Sequence, residues 1–183
     1  MGESVTAASL RQAAVLVPLW RDASRAWRVG VVRRSEGGVH SGQLAFPGGA
    51  RNPGDASLEA TALREAHEEI GLPLGATRIL AQLPAVETRV SSFVITPFLG
   101  IVERPVRWVL DAREIAEVLE PALAELLAPD ARGHASDLLP PQWEAVRLPY
   151  YPVGRYRLWG ASERILQPLL ARIAAREWPE LLV

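Results

Sequence analysis

Residues 48–72 run Gly48-Gly49-Ala50-Arg51-Asn52-Pro53-Gly54-Asp55, then seven small or apolar-leaning residues, then Leu63-Arg64-Glu65-Ala66-His67-Glu68-Glu69-Ile70-Gly71-Leu72. Three glycines and a proline within seven positions predict a loop from Gly48 to Gly54. Asp55 or Ser57 can cap the helix that follows, which runs to about Ile70 and stops at Gly71, with Pro73 beyond. Leu58, Ala62, Ala66 and Ile70 recur every four residues and form its buried stripe, with the glutamates largely towards the opposite side. Glu65, Glu68 and Glu69 stand at i, i+3 and i+4, which stacks three carboxylates within reach of one another. Like charges so placed disfavour each other's ionisation. A hard divalent cation, Mg²⁺ or Mn²⁺, prefers carboxylate oxygen and compensates them. The rival reading of such a cluster is a solvated charged face. Spacing alone leaves both readings open, the solvated face being the commoner.

The chain has 183 residues, enough for a single domain over 1–183 with a sizeable core. It is 49% apolar and 22% charged with a formal net charge of −1, an ordinary globular composition without the basic footprint of a nucleic-acid or membrane binder. No cysteine is present, which excludes disulfides, thiolate nucleophiles and zinc–thiolate sites. All twenty basic residues are arginine, so a P-loop and a Schiff-base lysine are excluded as well. Met1 to Arg11 carries glutamate and no long apolar run, so no signal peptide is expected. Nothing approaches a membrane span, and cytoplasmic residence is the default expectation.

Outward from the quoted segment, strands come in clusters. Ala13 to Leu19, ended by Pro18 and a polar turn, and Trp27 to Val32 read as a hairpin or adjacent strands. Arg33 to Gly42 is a loop, and Leu44-Ala45-Phe46 is a brief strand cut by Pro47. Ile79 to Val86 and Phe93 to Val102 read as strands. Asp111 to Leu127 divides at Pro121 into a short first element, an extended piece near Val118 to Pro121 and a helix from Ala122 to Leu127. Ala128 to Pro141 is a polar, proline-rich loop, Trp143 to Tyr156 a hairpin, and Leu158 to Ala175 a closing amphipathic helix interrupted early or kinked by Pro168. The six tryptophans follow no stripe and read as core. Strand clusters with one early helix and one closing helix give an α+β order rather than regular βαβ alternation.

The segment Gly49 to Leu72 resembles the Nudix box, a signature of pyrophosphohydrolases. Arg64, Glu65, Glu68, Glu69, Gly71 and Leu72 stand where the box requires them, with Ala66 at the apolar place. Asp55 replaces the first glutamate, and eight residues rather than seven separate it from Arg64. That deviation is similar to the coenzyme A pyrophosphatase branch. Arg34-Ser35, Gly42 through Phe46-Pro47-Gly48-Gly49, Ile95-Thr96-Pro97-Phe98 and Leu158-Trp159-Gly160-Ala161-Ser162 resemble further landmarks of that branch. The branch often carries an arginine within the stretch occupied here by Glu36 to Ser41, which has none. The likeness extends from about Ala13 to Leu170. It implies a Nudix-like α/β/α sandwich with a mixed central sheet, a catalytic loop-helix-loop and a C-terminal helix.

The resemblance also implies Mg²⁺- or Mn²⁺-dependent water attack on the pyrophosphate of a small nucleotide substrate, with coenzyme A or its derivatives foremost. ADP-ribose, a dinucleotide or a nucleoside triphosphate are alternative substrates, and a non-catalytic nucleotide sensor is an alternative of another class. Glu65, Glu68, Glu69 and the Gly49 carbonyl are the expected metal ligands, since glycine lets backbone approach an ion closely. Arg64, four residues before Glu68, is expected to pair with it and fix its rotamer. Arg33 and Arg34 are expected either to grip a phosphate bidentately or to be ordinary strand-end arginines. Gly48 and Phe46 complete the expected substrate contacts, with packing the rival role for Phe46. Glu87, Glu114 and Glu117 are candidate general bases outside the box. His40 is a loop histidine that could meet a ligand, and His67 reads as a surface residue. An oligomer is possible, and the sequence leaves its order open.

Overall fold

A computed structural model describes residues 10–37, 40–88, 92–138 and 146–181. Most of the amino-terminal segment read for a signal, and the first residues of the hairpin expected from Trp143, lie outside these residues. The central strand, β1 (Arg11–Arg21), is apolar at nearly every position because it is covered on both faces. Its side chains alternate between two cores. Ala14, Leu16 and Trp20 join one with Ala62, Ala66 and Ile70 of the early helix, and Val17 and Leu19 join the other with Ile165, Leu166 and Leu169 of the closing helix.

β1 forms a hairpin with β2 (Trp27–Val29), in which Leu19 faces Val29 and Arg21 faces Trp27. Asp22 pins the turn. Its carboxylate accepts from the Ser24 hydroxyl, the Arg28 guanidinium and the Ser24 and Ala26 N–H groups, and the Ser24 hydroxyl first and Arg28 second hold its pKa down at about 2. The chain then leaves this sheet at Gly30 and forms β3 (Val31–Arg34) and β4 (Leu44–Ala45) of a second, three-stranded sheet. The single strand expected over Trp27 to Val32 is thus two. A β-carbon on Gly30 would lie 2.6 Å from the Pro18 ring, so only glycine lets the backbone cross there. Pro18 itself lies inside β1, where a strand end was expected. It falls between the residues that pair with β2 and those that pair with the next strand, so its missing N–H breaks no ladder.

β5 (Gly48–Ala50) corrects the expected loop from Gly48: it returns to β1 with Gly49 opposite Ala14. Helix α1 (Leu58–Ile70) follows, capped by the Ser57 hydroxyl, which accepts from Ala60 N–H, and closed by Gly71 at φ 68°. Beyond it come β6 (Thr77–Gln82), β7 (Val86–Glu87) and β8 (Phe93–Val102), where the sequence showed one strand and then another. β8 runs parallel to β1 while β2, β5, β6 and β7 pair antiparallel, so the central sheet is mixed, in the order β2-β1-β8-β6. β9 (Ile115–Leu119) joins β3, α2 (Leu123–Leu127) follows, and β10 (Gly133–Ala135), β11 (Leu148–Val153) and β12 (Tyr156–Trp159) form a third sheet. α3 (Ala161–Ala174) contains Pro168 and packs opposite α1, completing an α/β/α sandwich of the α+β class.

Of the tryptophans read as core, Trp20, Trp27 and Trp178 are buried, Trp108 and Trp159 are only partly buried, and Trp143 lies outside the described residues. Among the described residues no helix is long and apolar enough to cross a membrane. Replacing Gly30 by alanine overpacks the crossing against Pro18, and should destabilise the fold by about 1–3 kcal/mol. Chemical denaturation measures this; an unchanged midpoint would mean that the proline ring yields.

Candidate active site

The site forms where β5 lies against the last two turns of α1. Ala62, Ala66 and Ile70 are fully buried, as the stripe requires, but the glutamates are not all opposite it. Glu69 stands seven residues after Ala62, almost two whole turns, and therefore beneath the same face. It is 2% exposed. Glu65, one turn earlier, is half-buried, and Glu68 points outward, its side chain 57% exposed. This corrects the expected placement and grades the three carboxylates from core to solvent.

The glycine pair makes the approach possible. A β-carbon on Gly49 would lie 2.6 Å from the Glu65 carboxylate carbon. Gly48, at φ 153°, has its missing side chain aimed at the Ala14 carbonyl, and its N–H donates to Glu69 Oε2 at 2.9 Å. The other Glu69 oxygen, Oε1, is buried without a hydrogen-bond partner. Its nearest cation is the Arg34 guanidinium at 3.8 Å, which also donates to the Gly48 carbonyl at 3.5 Å. Burial pushes the Glu69 pKa up to about 7 against the opposing pull of Gly48 N–H and Arg34, and the charges of Glu65 and Glu114 raise it further. Burial likewise raises Glu65, opposed by Arg64.

Arg64 organises the outer half. Its Nε and Nη2 form a fork on Asp55 at 2.8 and 3.0 Å, Nη2 also reaches the Ala50 carbonyl at 3.3 Å, and Nη1 holds Glu65 at 2.8 Å and Glu68 at 2.9 Å. The pair expected with Glu68 is therefore one arm of a larger clamp. Asp55 does not cap the helix. It also accepts from the Thr61 hydroxyl and Asn52 N–H, and its pKa is held far below the usual carboxylate range, chiefly by Arg64. Asp55 thus fills from its shifted position a role that residue spacing left open.

The loop after β8 closes the other side. Val109 and Asp111 donate backbone N–H groups to the Ile70 and Glu69 carbonyls, which satisfies the carboxyl end of α1. Gly71 permits this docking, since a β-carbon there would lie 2.8 Å from Val109 Cβ. An open cleft of about 280 Å³ results, lined by Glu65, Glu68, Glu69, Asp111, Arg113 and Glu114. Asp111 and Arg113 escaped sequence reasoning, because nothing in their spacing links them to a box some forty residues earlier. The structure separates the candidate bases: Glu114 lines the cleft, Glu117 pairs with Arg33 at 3.2 Å and accepts from the Tyr156 hydroxyl, and Glu87 lies on β7.

Arg33 and Arg34, consecutive on β3, point to opposite faces, Arg34 turning to Glu69 and Arg33 to Glu117. Phe46 is 1% exposed within the core under α3, so the expected substrate contact gives way to its rival role, packing. His40 contacts Gln43, and His67 is exposed with Nδ1 near the Leu72 carbonyl.

Among the described residues no three acidic or histidine side chains are already gathered as a metal cage, and Arg64 holds Glu65 and Glu68 in ion pairs. The donor set nevertheless suits a hard cation: it offers only oxygen, and the buried Glu69 Oε1 lacks a partner. Asp55→Asn should lower the unfolding midpoint at pH 7 by weakening the hold on Arg64. Asp55 is depressed in the fold, so its contribution is present above the ordinary carboxylate pKa and fades as pH falls below about 4. Thermal melts of variant and wild type should therefore converge at low pH; a constant gap would show that the charge is not responsible.

The NUDIX domain profile matches residues 10–141. A Nudix hydrolase named NudL from Enterobacter sp. (strain 638), described as uncharacterized, is 38% identical over 167 residues, covering 91% of this chain and 84% of its own. The NudL of Salmonella paratyphi B, likewise described as uncharacterized, is 36% identical over 178 residues with the same coverage. Among solved structures, the Nudix hydrolase RenU of M. smegmatis superposes with a TM-score of 0.63 at 20% identity, over 91% of this chain and 87% of that one. The NUDIX domain of Shewanella oneidensis NrtR, complexed with ADP ribose, superposes at 0.56 and 16% identity, over 92% and 90%. With the box residues gathered around one cleft and relatives at this identity across most of its length, the chain belongs to the Nudix family and is a hydrolase of the pyrophosphatase kind.

Proposed function

We propose that this hydrolase is Mg²⁺- or Mn²⁺-dependent and cleaves coenzyme A or a derivative of it to 3′,5′-adenosine bisphosphate and 4′-phosphopantetheine. The observation that carries the metal-dependent chemistry is the buried, half-satisfied Glu69 beside Glu65 and the Gly48–Gly49 backbone. The coenzyme A assignment is supported by the Arg34-Ser35 and Gly42-to-Gly49 pattern, whose arginine reaches the Gly48 carbonyl.

Glu65, Glu68 and Glu69 would hold the divalent ion, whereas the expected Gly49 carbonyl, in register opposite Ala14, is turned into the ladder with β1. When bound, such an ion neutralises charge on the diphosphate and makes a water more acidic. Arg64, anchored on Asp55, sets the rotamers of Glu65 and Glu68 and so fixes where those carboxylates meet a ligand. Arg34 offers its remaining N–H groups to a phosphate oxygen. Glu114, on the far wall of the cleft, takes the proton from the attacking water. The water oxygen forms a bond to phosphorus, the bridging P–O bond breaks, and the phosphate released carries the bond's electron pair.

Glu68→Gln and Glu69→Gln should each lower kcat by roughly 100-fold or more at saturating Mg²⁺ while leaving the fold intact. Wild-type rates in either would remove that side chain from the mechanism. Arg34→Ala should chiefly raise KM, and an unchanged KM would return Arg34 to a structural role. A panel of coenzyme A, ADP-ribose, NADH and nucleoside triphosphates with either metal, products resolved by chromatography, tests the substrate. Turnover of another member in preference to coenzyme A would overturn the substrate assignment.

A further inference from the structure

We propose that Arg113 is a substrate ligand, binding the diphosphate on the wall opposite the metal-holding glutamates. The assignment rests on the hydrolase reading for its substrate but on separate residues for its geometry. Among the described residues lining the cleft, Arg113 is the one guanidinium and the other five are carboxylates. A diphosphate entering there brings more negative charge to a wall already acidic, and Arg113 is the side chain placed to meet it.

Its mounting differs from that of a free surface arginine. The loop bearing it is fixed to α1 by the Asp111 and Val109 N–H groups, and to β3 through Ser35, whose N–H donates to the Glu114 carbonyl and whose hydroxyl donates to Ala112. Asp111 accepts the Arg113 backbone N–H at 3.0 Å and its Nε and Nη2 at 2.9 and 2.5 Å. The backbone is therefore held, and the fork is stored on a neighbouring carboxylate rather than lost in solvent. The side chain remains 87% exposed, so it can turn from Asp111 to a phosphate without unpacking anything. Planar bidentate pairing with phosphate oxygens suits this fork better than it suits an ammonium. On this assignment the divalent ion and Arg34 act on the α1 side of the diphosphate, and Arg113 acts from the loop.

The test uses the full-length protein with Arg113→Ala and Arg113→Lys, and inorganic pyrophosphate with Mg²⁺ as the calorimetric probe. Pyrophosphate affinity should fall roughly 10- to 100-fold in the alanine variant and less in the lysine variant. Mn²⁺ affinity measured without pyrophosphate should stay close to that of wild type, and KM should rise more than kcat falls. Unchanged pyrophosphate affinity in Arg113→Ala overturns the proposal and leaves Arg113 a counter-ion for its neighbours. Equal loss of Mn²⁺ and pyrophosphate binding also overturns it, since that marks damage to the metal site. If the expected pattern holds while no diphosphate is turned over, the hydrolase reading fails and the Arg113 assignment stands.

Discussion

The contact on which the site depends is the approach of a backbone with no side chains to a helix face rich in carboxylate. Gly48 and Gly49 lie in strand pairing with β1 and, at the same time, against Glu69 and Glu65 of α1. A side chain at Gly49 would push strand and helix apart, and one at Gly48 would push β5 off β1, and either shift would move the Gly48 N–H away from Glu69. That N–H and Arg34 are the groups that offset the burial of a charged carboxylate. Sheet, helix and acidic site are therefore one packing problem, solved by two glycines.

Around this contact the charges are arranged in tiers. Glu69 is buried and short of one partner, Glu65 is half-buried and shares Arg64, and Glu68 is exposed. Arg64 is in turn held by Asp55, so the outer carboxylates are oriented by a group that never faces the cleft. Surplus carboxylate in a partly desolvated place is unfavourable without a cation. Such an arrangement loses stability in order to create affinity, a compromise typical of functional sites.

Much of this was legible in the chain. The helix end followed from Gly71 and its start from a cap at either Asp55 or Ser57, its buried stripe from the spacing of Ala62, Ala66 and Ile70, and β8 from an apolar run that matched its limits. Other features were not. Glycines at 48 and 49 read as a loop because local propensity records their freedom, whereas pairing with β1 decided their conformation. Pro18 read as a strand end because its position between two partners on one side of β1 is a fact of the sheet. Glu69 was assigned to the solvent side with the other glutamates, though its seven-residue distance from Ala62 already placed it on the buried face.

By itself, the sequence determined which functional groups are available: carboxylates at i, i+3 and i+4 on one helix, arginine as the only strongly basic side chain, and no thiol or lysine. It determined these because residue type and helical spacing are local properties. Only the tertiary structure decided which of two adjacent arginines faces the site, since consecutive strand residues point to opposite faces and the pairing of β3 with β9 sets Arg33 beside Glu117, leaving Arg34 towards Glu69. It alone brought Arg113 and Glu114 across from α1, by docking a distant loop on the helix's free carbonyls past a residue without a side chain. Long-range backbone pairing sets these placements, and a one-dimensional pattern carries no record of it.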